Sequence, residues 1–218
     1  APGMAAWKLG LELQEQMRGR AALLWDCQPD EVQVEEGVYQ RNGERLTFRG
    51  MMPGPSGEWM EADGVAQPGA GPPMHVHYFQ EEAARVTRGR LGYQGLGGEP
   101  QFAVPGELVV WPAGTAHKWW NAGDDELHMT GWCHPADNIE FFLGTLFAST
   151  KENGGRPGLF DAAFLLIRYR TEYAMLELPA VVRHIVMAIA YFLGTISGRY
   201  RKFKDAPAPI QPGRRAGL

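Results

Sequence analysis

Three histidines and a glutamate stand where they can act together. His75-Val76-His77 is the sharpest spacing. In a strand, residues i and i+2 point to one face, so these two imidazoles aim at one point. The acidic pair Glu81-Glu82 follows at once. Glu81 keeps the parity of His77 but comes early in the turn. Glu82 has an odd offset and needs a turn or bulge to come back to that face. His117 must arrive from a distant strand. Three neutral imidazoles and one carboxylate suit one borderline divalent ion, with Fe(II) first and Mn, Ni, Co, Cu and Zn as alternatives. Four protein ligands leave open positions on an octahedral ion, which is what a reactive centre needs.

Local signals position these residues. Pro68-Gly69 and Gly71-Pro72-Pro73 form a loop that stops just before His75, and Pro112-Ala113-Gly114 is a turn just before His117. Each histidine segment therefore starts a strand that follows a tight turn.

The two segments resemble the two motifs of the cupin superfamily. Gly69, His75, His77, Glu82 and Gly89 match the first motif, and Gly106, Pro112, Gly114, His117 and Asn121 match the second. The motifs are 16 residues apart, and the resemblance covers residues 40–136. It is most similar to bacterial single-domain cupins, quercetinase-like in their motifs, with a helical C-terminal extension. It implies that His75, His77, Glu82 and His117 hold one metal ion per chain and that Glu82 also shuttles a proton. Cupins usually carry a large apolar residue two positions after the motif glutamate; here it is Ala84, which leaves a roomier pocket if it faces inward. Trp119 shares a face with His117 by alternation, so it lines either the substrate pocket or the core. His128 and His134 share a face on the last strand, as candidate acid/base or supporting groups. His184 belongs to a later helix and stands apart from the metal.

The chain of 218 residues suits a barrel with additions, and 44% hydrophobic residues suffice for a core. A net charge of −4 gives no sign of nucleic-acid binding. The high content of glycine (28) and proline (16) favours many short strands over a helical bundle. Cys27 and Cys133 lack metal-type spacing and read as reduced thiols of a cytoplasmic protein. The N-terminus has no basic-then-apolar run of a signal peptide.

The expected fold is mainly β: a small antiparallel barrel or jelly roll with an N-terminal helix and a helical C-terminal extension. Its expected parts are an N-terminal helical segment (1–31), the cupin barrel (32–136), a C-terminal helical extension (137–205) and an irregular proline-rich tail (206–218). A helical stripe of Leu9, Leu13, Met17, Leu24 and Trp25 predicts a helix over 4–25. Strands are expected at Val32–Val34, Gly37–Gln40, Arg45–Arg49, Glu58–Ala62, Arg90–Gly95, Gln101–Val104, Glu107–Trp111 and Glu126–Trp132. Asn42-Gly43 is a tight-turn signal, and Met52–Gly57 reads as a loop. After Pro135 the period turns helical: a capping box Asp137–Glu140 opens one helix, a second runs from Leu159 to about Leu176, and a third from Val181 to about Ile196. The uncharged run Ile185–Ser197 is too short to span a bilayer and reads as a helix buried against the barrel or a partner. Arg199, Arg201, Lys202, Lys204, Arg214 and Arg215 follow it, so a second reading rests this segment on an anionic membrane surface.

The resemblance implies a metal-dependent enzyme, foremost a dioxygenase. Its substrates would be dioxygen and a small organic molecule that chelates through an enolate or phenolate oxygen. The same ligand set also serves isomerases, decarboxylases, hydrolases and non-catalytic sensing cupins. Exposed strand edges in such barrels imply a homodimer.

Overall fold

A computed structural model describes residues 38–41, 43–54 and 57–211. The helix expected over 4–25, the strand Val32–Val34, Cys27, Arg214 and Arg215 lie outside the described residues.

The first strands are β1 (Val38–Arg41), β2 (Glu44–Gly54) and β3 (Gly57–Ala66). Arg41 pairs with Glu44, and Gly43 between them has a φ of +83°, which suits glycine at a tight reversal. β2 and β3 extend through most of the segment expected as a loop, with Gly54 opposite Gly57. Long antiparallel pairing carried β2 past Pro53, one of the residues that suggested a break.

The strands that carry the motifs are short. They are β4 (His75–His77), β5 (Glu81–Arg88), β6 (Leu91–Gly95), β7 (Gln101–Ala103), β8 (Leu108–Trp111), β9 (His117–Asn121) and β10 (Leu127–His134). A last strand, β11 (Tyr173–Met175), comes from the C-terminal region. The strands form two antiparallel sheets, ordered β1-β2-β3-β10-β5-β8 and β11-β4-β9-β6-β7. The barrel expected from sequence is thus a pair of sheets rather than one closed ring of hydrogen bonds. Ala84 and Val86 from one sheet pack with Leu91 and Ala103 from the other, and Trp111, Leu127 and Met129 complete this core.

Three helices follow: α1 (Ile139–Glu152), α2 (Leu159–Arg168) and α3 (Met187–Ile196), the last entered through a π turn at Val182–Val186. The helix starts one residue later than the expected box places it. Asn138 takes the N-cap without a side-chain cap bond, and its amide donates instead to Glu172 Oε1 and to the Ala208 carbonyl. The second helix stops at Arg168, not near Leu176, because Tyr173–Met175 pairs with β4. Tertiary pairing overrides a helical pattern that sequence alone extends. A second core joins the sheets to the helices through Met60, Cys133, Ile139, Phe142, Phe164, Tyr169 and Tyr173. The tail beyond Asp205 is pinned: Tyr169 and Arg168 donate to the Pro207 carbonyl, and Thr171 donates to that of Ile210. Among the described residues, no helix is long and apolar enough to cross a membrane.

Candidate metal centre

β4 and β9 are neighbours, and His75 lies directly opposite His117. Two glycines allow this. Gly71 passes so close to β9 that a Cβ would sit 2.0 Å from the Trp119 carbonyl oxygen, so no other residue fits before the first histidine. Gly114, at φ +79°, donates its N–H to the His77 carbonyl at 2.7 Å, which ties the second motif's turn to the first motif's strand.

Glu82 arrives by another route than a bulge. The chain leaves the five-stranded sheet after His77 and enters the six-stranded sheet at Glu81, so strand parity does not apply across residues 78–80. Glu82 thereby faces the histidines from the opposite sheet. Its Oε2 lies 3.6 Å from His75 Nε2, 3.3 Å from His77 Nε2 and 3.2 Å from His117 Nε2. His75, His77 and Glu82 each offer one ligand atom, all within 4.8 Å of one another. Glu81, the other candidate, sits opposite His134 at the end of β10 instead.

Hydrogen bonds set the tautomers. His75 Nδ1 is 2.9 Å from the Pro73 carbonyl, and His117 Nδ1 is 3.0 Å from that of Thr115. A carbonyl only accepts, so both Nδ1 atoms carry the proton and both Nε2 atoms present a lone pair. His77 Nδ1 is buried with no hydrogen-bond partner. Lone pairs of the Nε2 atoms therefore converge with a carboxylate oxygen on one small volume, where they repel unless a cation or a proton lies among them. This donor set fits a divalent transition-metal ion.

Electrostatics agree. Burial pushes the His77 pKa down to about 3 against the pull of Glu82, so this ring stays neutral. Burial opposes ionisation of Glu82, yet the neighbouring rings of His117, His75 and His77 outweigh it and hold the carboxyl well below its usual range. Burial also works against a proton on His117, but its hydrogen bond to Glu82 and the charge of Glu82 raise its pKa on balance. Trp111 stacks on His117 with ring centroids 4.5 Å apart and planes at 7°, which fixes the plane of that imidazole.

The group opens on a cavity of about 130 Å³. Its walls are largely apolar, and Ile139, Phe142, Leu143, Leu146 and Phe147 of α1 form one side of it. Trp119 lines it. Ala84 does not: two residues after Glu82 on β5 it also points between the sheets, but it is buried in the core there. His128 is also placed away from it, partly exposed and 3.2 Å from Glu126 Oε2. Among the lining residues that sequence reasoning did not assign to the site are Tyr173, Cys133 and Phe142. Cys133 is a free, buried thiol opposite Glu82 in the β10–β5 register, and burial followed by the charge of Glu82 pushes its pKa well up. Burial and then the charge of Glu172 push the Tyr173 hydroxyl up as well, so both groups stay protonated.

Known proteins bear on this site. Residues 64–133 match the family described as the cupin domain. The chain is 28% identical over 131 residues to the probable oxidoreductase virH of Hypocrea virens, covering 59% of this chain and 52% of that protein. It is 28% identical over 115 residues to the oxidoreductase iacF of Pestalotiopsis fici, covering 50% of this chain and 56% of that one. The chain thus spans about half the length of the curated relatives it matches. Among solved structures, KdgF from Halomonas sp. is 19% identical, with 50% of this chain and 94% of that chain covered and a TM-score of 0.41. A sugar phosphate isomerase of Silicibacter pomeroyi is 23% identical, with 42% and 59% covered and a TM-score of 0.37. With the match running from the end of β3 into β10, both motifs intact and their residues gathered between two antiparallel sheets, residues 64–133 of the chain form a cupin domain.

Proposed function

We propose that the chain is a metal-dependent oxidoreductase, a dioxygenase acting on a small organic substrate that binds the ion through an enolate or phenolate oxygen. The observation that carries this reading is the convergence of His75, His77, His117 and Glu82 at one end of an apolar cavity. The oxidoreductase names of both curated relatives support it. His75, His77 and His117 would hold the ion through Nε2, and Glu82 through Oε2. Fe(II) is the first choice, with Mn, Ni, Co, Cu and Zn also compatible with the donor set. The bound ion would supply Lewis acidity, which lowers the pKa of a substrate hydroxyl, and, for every metal named except Zn, one-electron redox chemistry. Glu82 Oε2 faces the rings, so Oε1 is the atom that takes the hydroxyl proton. Phe142, Leu143 and Leu146 exclude water, and Trp119 offers a ring face to the substrate.

Size narrows the substrate. A cavity of about 130 Å³ compares with the roughly 150 Å³ apolar cavity that accepts benzene. One ring, or an open-chain diketone of similar bulk, fits; a three-ring flavonol does not.

We place the protein as a homodimer joined at sheet edges. The edge strands β8 and β7 expose Leu108 and Val110, and Phe102, respectively.

The test is elemental analysis of the purified chain, then oxygen uptake with catechols, short diketones and flavonols. Stoichiometric redox-active metal with uptake on the one-ring or diketone compounds is the expected result. Metal without uptake on any of them overturns the dioxygenase and leaves an isomerising, hydrolytic or sensing cupin. No metal after reconstitution overturns the site.

A further inference from the structure

The third helix faces the wrong way for an ordinary surface helix. Its inward side is made of Met187, Ala190 and Gly194, which pack against Ala163 of α2 and against Tyr200. Its outward side, continued back through the π turn before it, carries the large residues: Val181 is 62% exposed, Ile185 53%, Ile189 55%, Phe192 62% and Ile196 65%. Steps of four, four, three and four residues put these five on one side of the helix. Val186 and Leu193 widen the stripe. At 1.5 Å per residue it runs for roughly 20 Å. A continuous apolar face of this kind marks a binding surface.

Charge says what covers it. Residues 181–204 contain Arg183, Arg199, Arg201, Lys202 and Lys204 and no Asp or Glu. Acids flank this element at Asp161, which pairs with Lys202 at 2.9 Å, at Asp205, at the end of the run, and at Glu177, four residues before Val181, which lies 3.8 Å from Lys118. The basic residues sit at both ends of the stripe, and Arg199, Arg201 and Lys204 are exposed. A second copy of the chain is a poor cover. Antiparallel helices would set Arg183 of each copy against the Arg199–Lys204 end of the other, and parallel helices would set like ends together. In both cases cation meets cation. An anionic bilayer satisfies both features: the stripe enters the boundary between headgroups and acyl chains, and the basic ends meet lipid phosphates and carboxylates.

We propose that the outward face of α3, with its basic ends, is a docking site for an anionic phospholipid surface, on which the chain lies without crossing it. The site does not depend on the metal centre or on its reaction.

The experiment is co-sedimentation of the full chain with phosphatidylcholine vesicles and with vesicles containing about a third phosphatidylserine. The chain pellets with the anionic vesicles, less with the neutral ones, and less in high salt, because exposed charges are screened. Ile189→Glu with Phe192→Glu abolishes pelleting on both; both positions are exposed, so the melting temperature holds. Arg201→Glu with Lys204→Glu weakens anionic binding by on the order of fivefold per residue or more. Absence of pelleting on anionic vesicles overturns the proposal, as does pelleting that the Ile189/Phe192 variant retains. If that variant instead turns a dimer into a monomer by light scattering, the cover is a second copy and the proposal is wrong.

Discussion

Tyr173 and His77 are register partners across β11 and β4, and their rings meet edge to face at 5.3 Å between centroids. A residue far along the C-terminal region thus braces a strand of the metal centre. Tyr173 also accepts a hydrogen bond from Gln80 Nε2 at 3.2 Å. Tyr173→Ala should cost about 3–5 kcal/mol by denaturant unfolding, as for other buried aromatics, and should lower metal affinity. Tyr173→Phe keeps the packing and should cost about 1 kcal/mol. Equal losses for the two variants would mean that the hydroxyl, not the ring, braces the strand.

Trp111 supports the centre from the opposite side, flat on His117. Trp111→Leu should leave the chain folded but free the imidazole plane, lowering metal affinity roughly 10–100-fold, the range for groups that orient ligands. Metal titration with a competing chelator measures this. An unchanged affinity would show that the Thr115 carbonyl alone orients the ring.

Glu82 supplies the site's negative charge. Glu82→Gln keeps its shape and removes the charge, so the purified variant should hold well under one metal per chain by elemental analysis. His77→Ala should do the same. Full occupancy in either variant would contradict the ligand assignment.

Acid should unfold the metal-stripped protein through His77. Its folded pKa is about 3 against an ordinary value of 6.5, so between these values the unfolded chain binds a proton that the folded chain refuses. Stability is therefore intact above about pH 6.5 and falls as the pH drops toward 3. Glu82, depressed when folded, adds to the acid loss below its ordinary value of 4.5. His117 has the opposite sign: its raised pKa contributes below 6.5 and is lost as the pH rises through the folded value. Denaturant midpoints across this range should drop steeply on the acid side, and His77→Gln should flatten the slope between pH 6 and 4. A slope unchanged in that variant would place the acid sensitivity elsewhere.

The cavity wall formed by α1 should set substrate size. Leu146→Ala removes a half-buried wall residue and should cost about 2–3 kcal/mol at most. It should let two-ring diols bind the metal-loaded protein, as read by a shift in melting temperature. Equal binding of one- and two-ring compounds to the unaltered chain would show that the cavity does not select by size.

Much of the site was legible along the chain, because its signals are local. His-x-His states its own geometry through the period of a strand. The Gly71-Pro72-Pro73 and Pro112–Gly114 turns announce the starts of β4 and β9. The motif residues, read together, pointed to the fold. The rest depended on contacts between distant segments. Glu82 reaches the histidines because the chain changes sheets in residues 78–80, which strand parity along one segment cannot express. Tyr173–Met175 carries no strand signature strong enough to break an apolar helical run; only pairing with β4 makes it a strand. Ala84 and His128 looked like pocket residues by offset, but packing between the sheets puts one in the core, and the other lies near the partly exposed start of β10. The third helix is apolar on every side, so periodicity cannot tell which face is buried. The packing of Met187 and Ala190 on α2 decides that Ile185, Ile189, Phe192 and Ile196 face outward. Residue type and local spacing thus determined which groups act and where strands begin; pairing and packing between distant segments decided which of them meet.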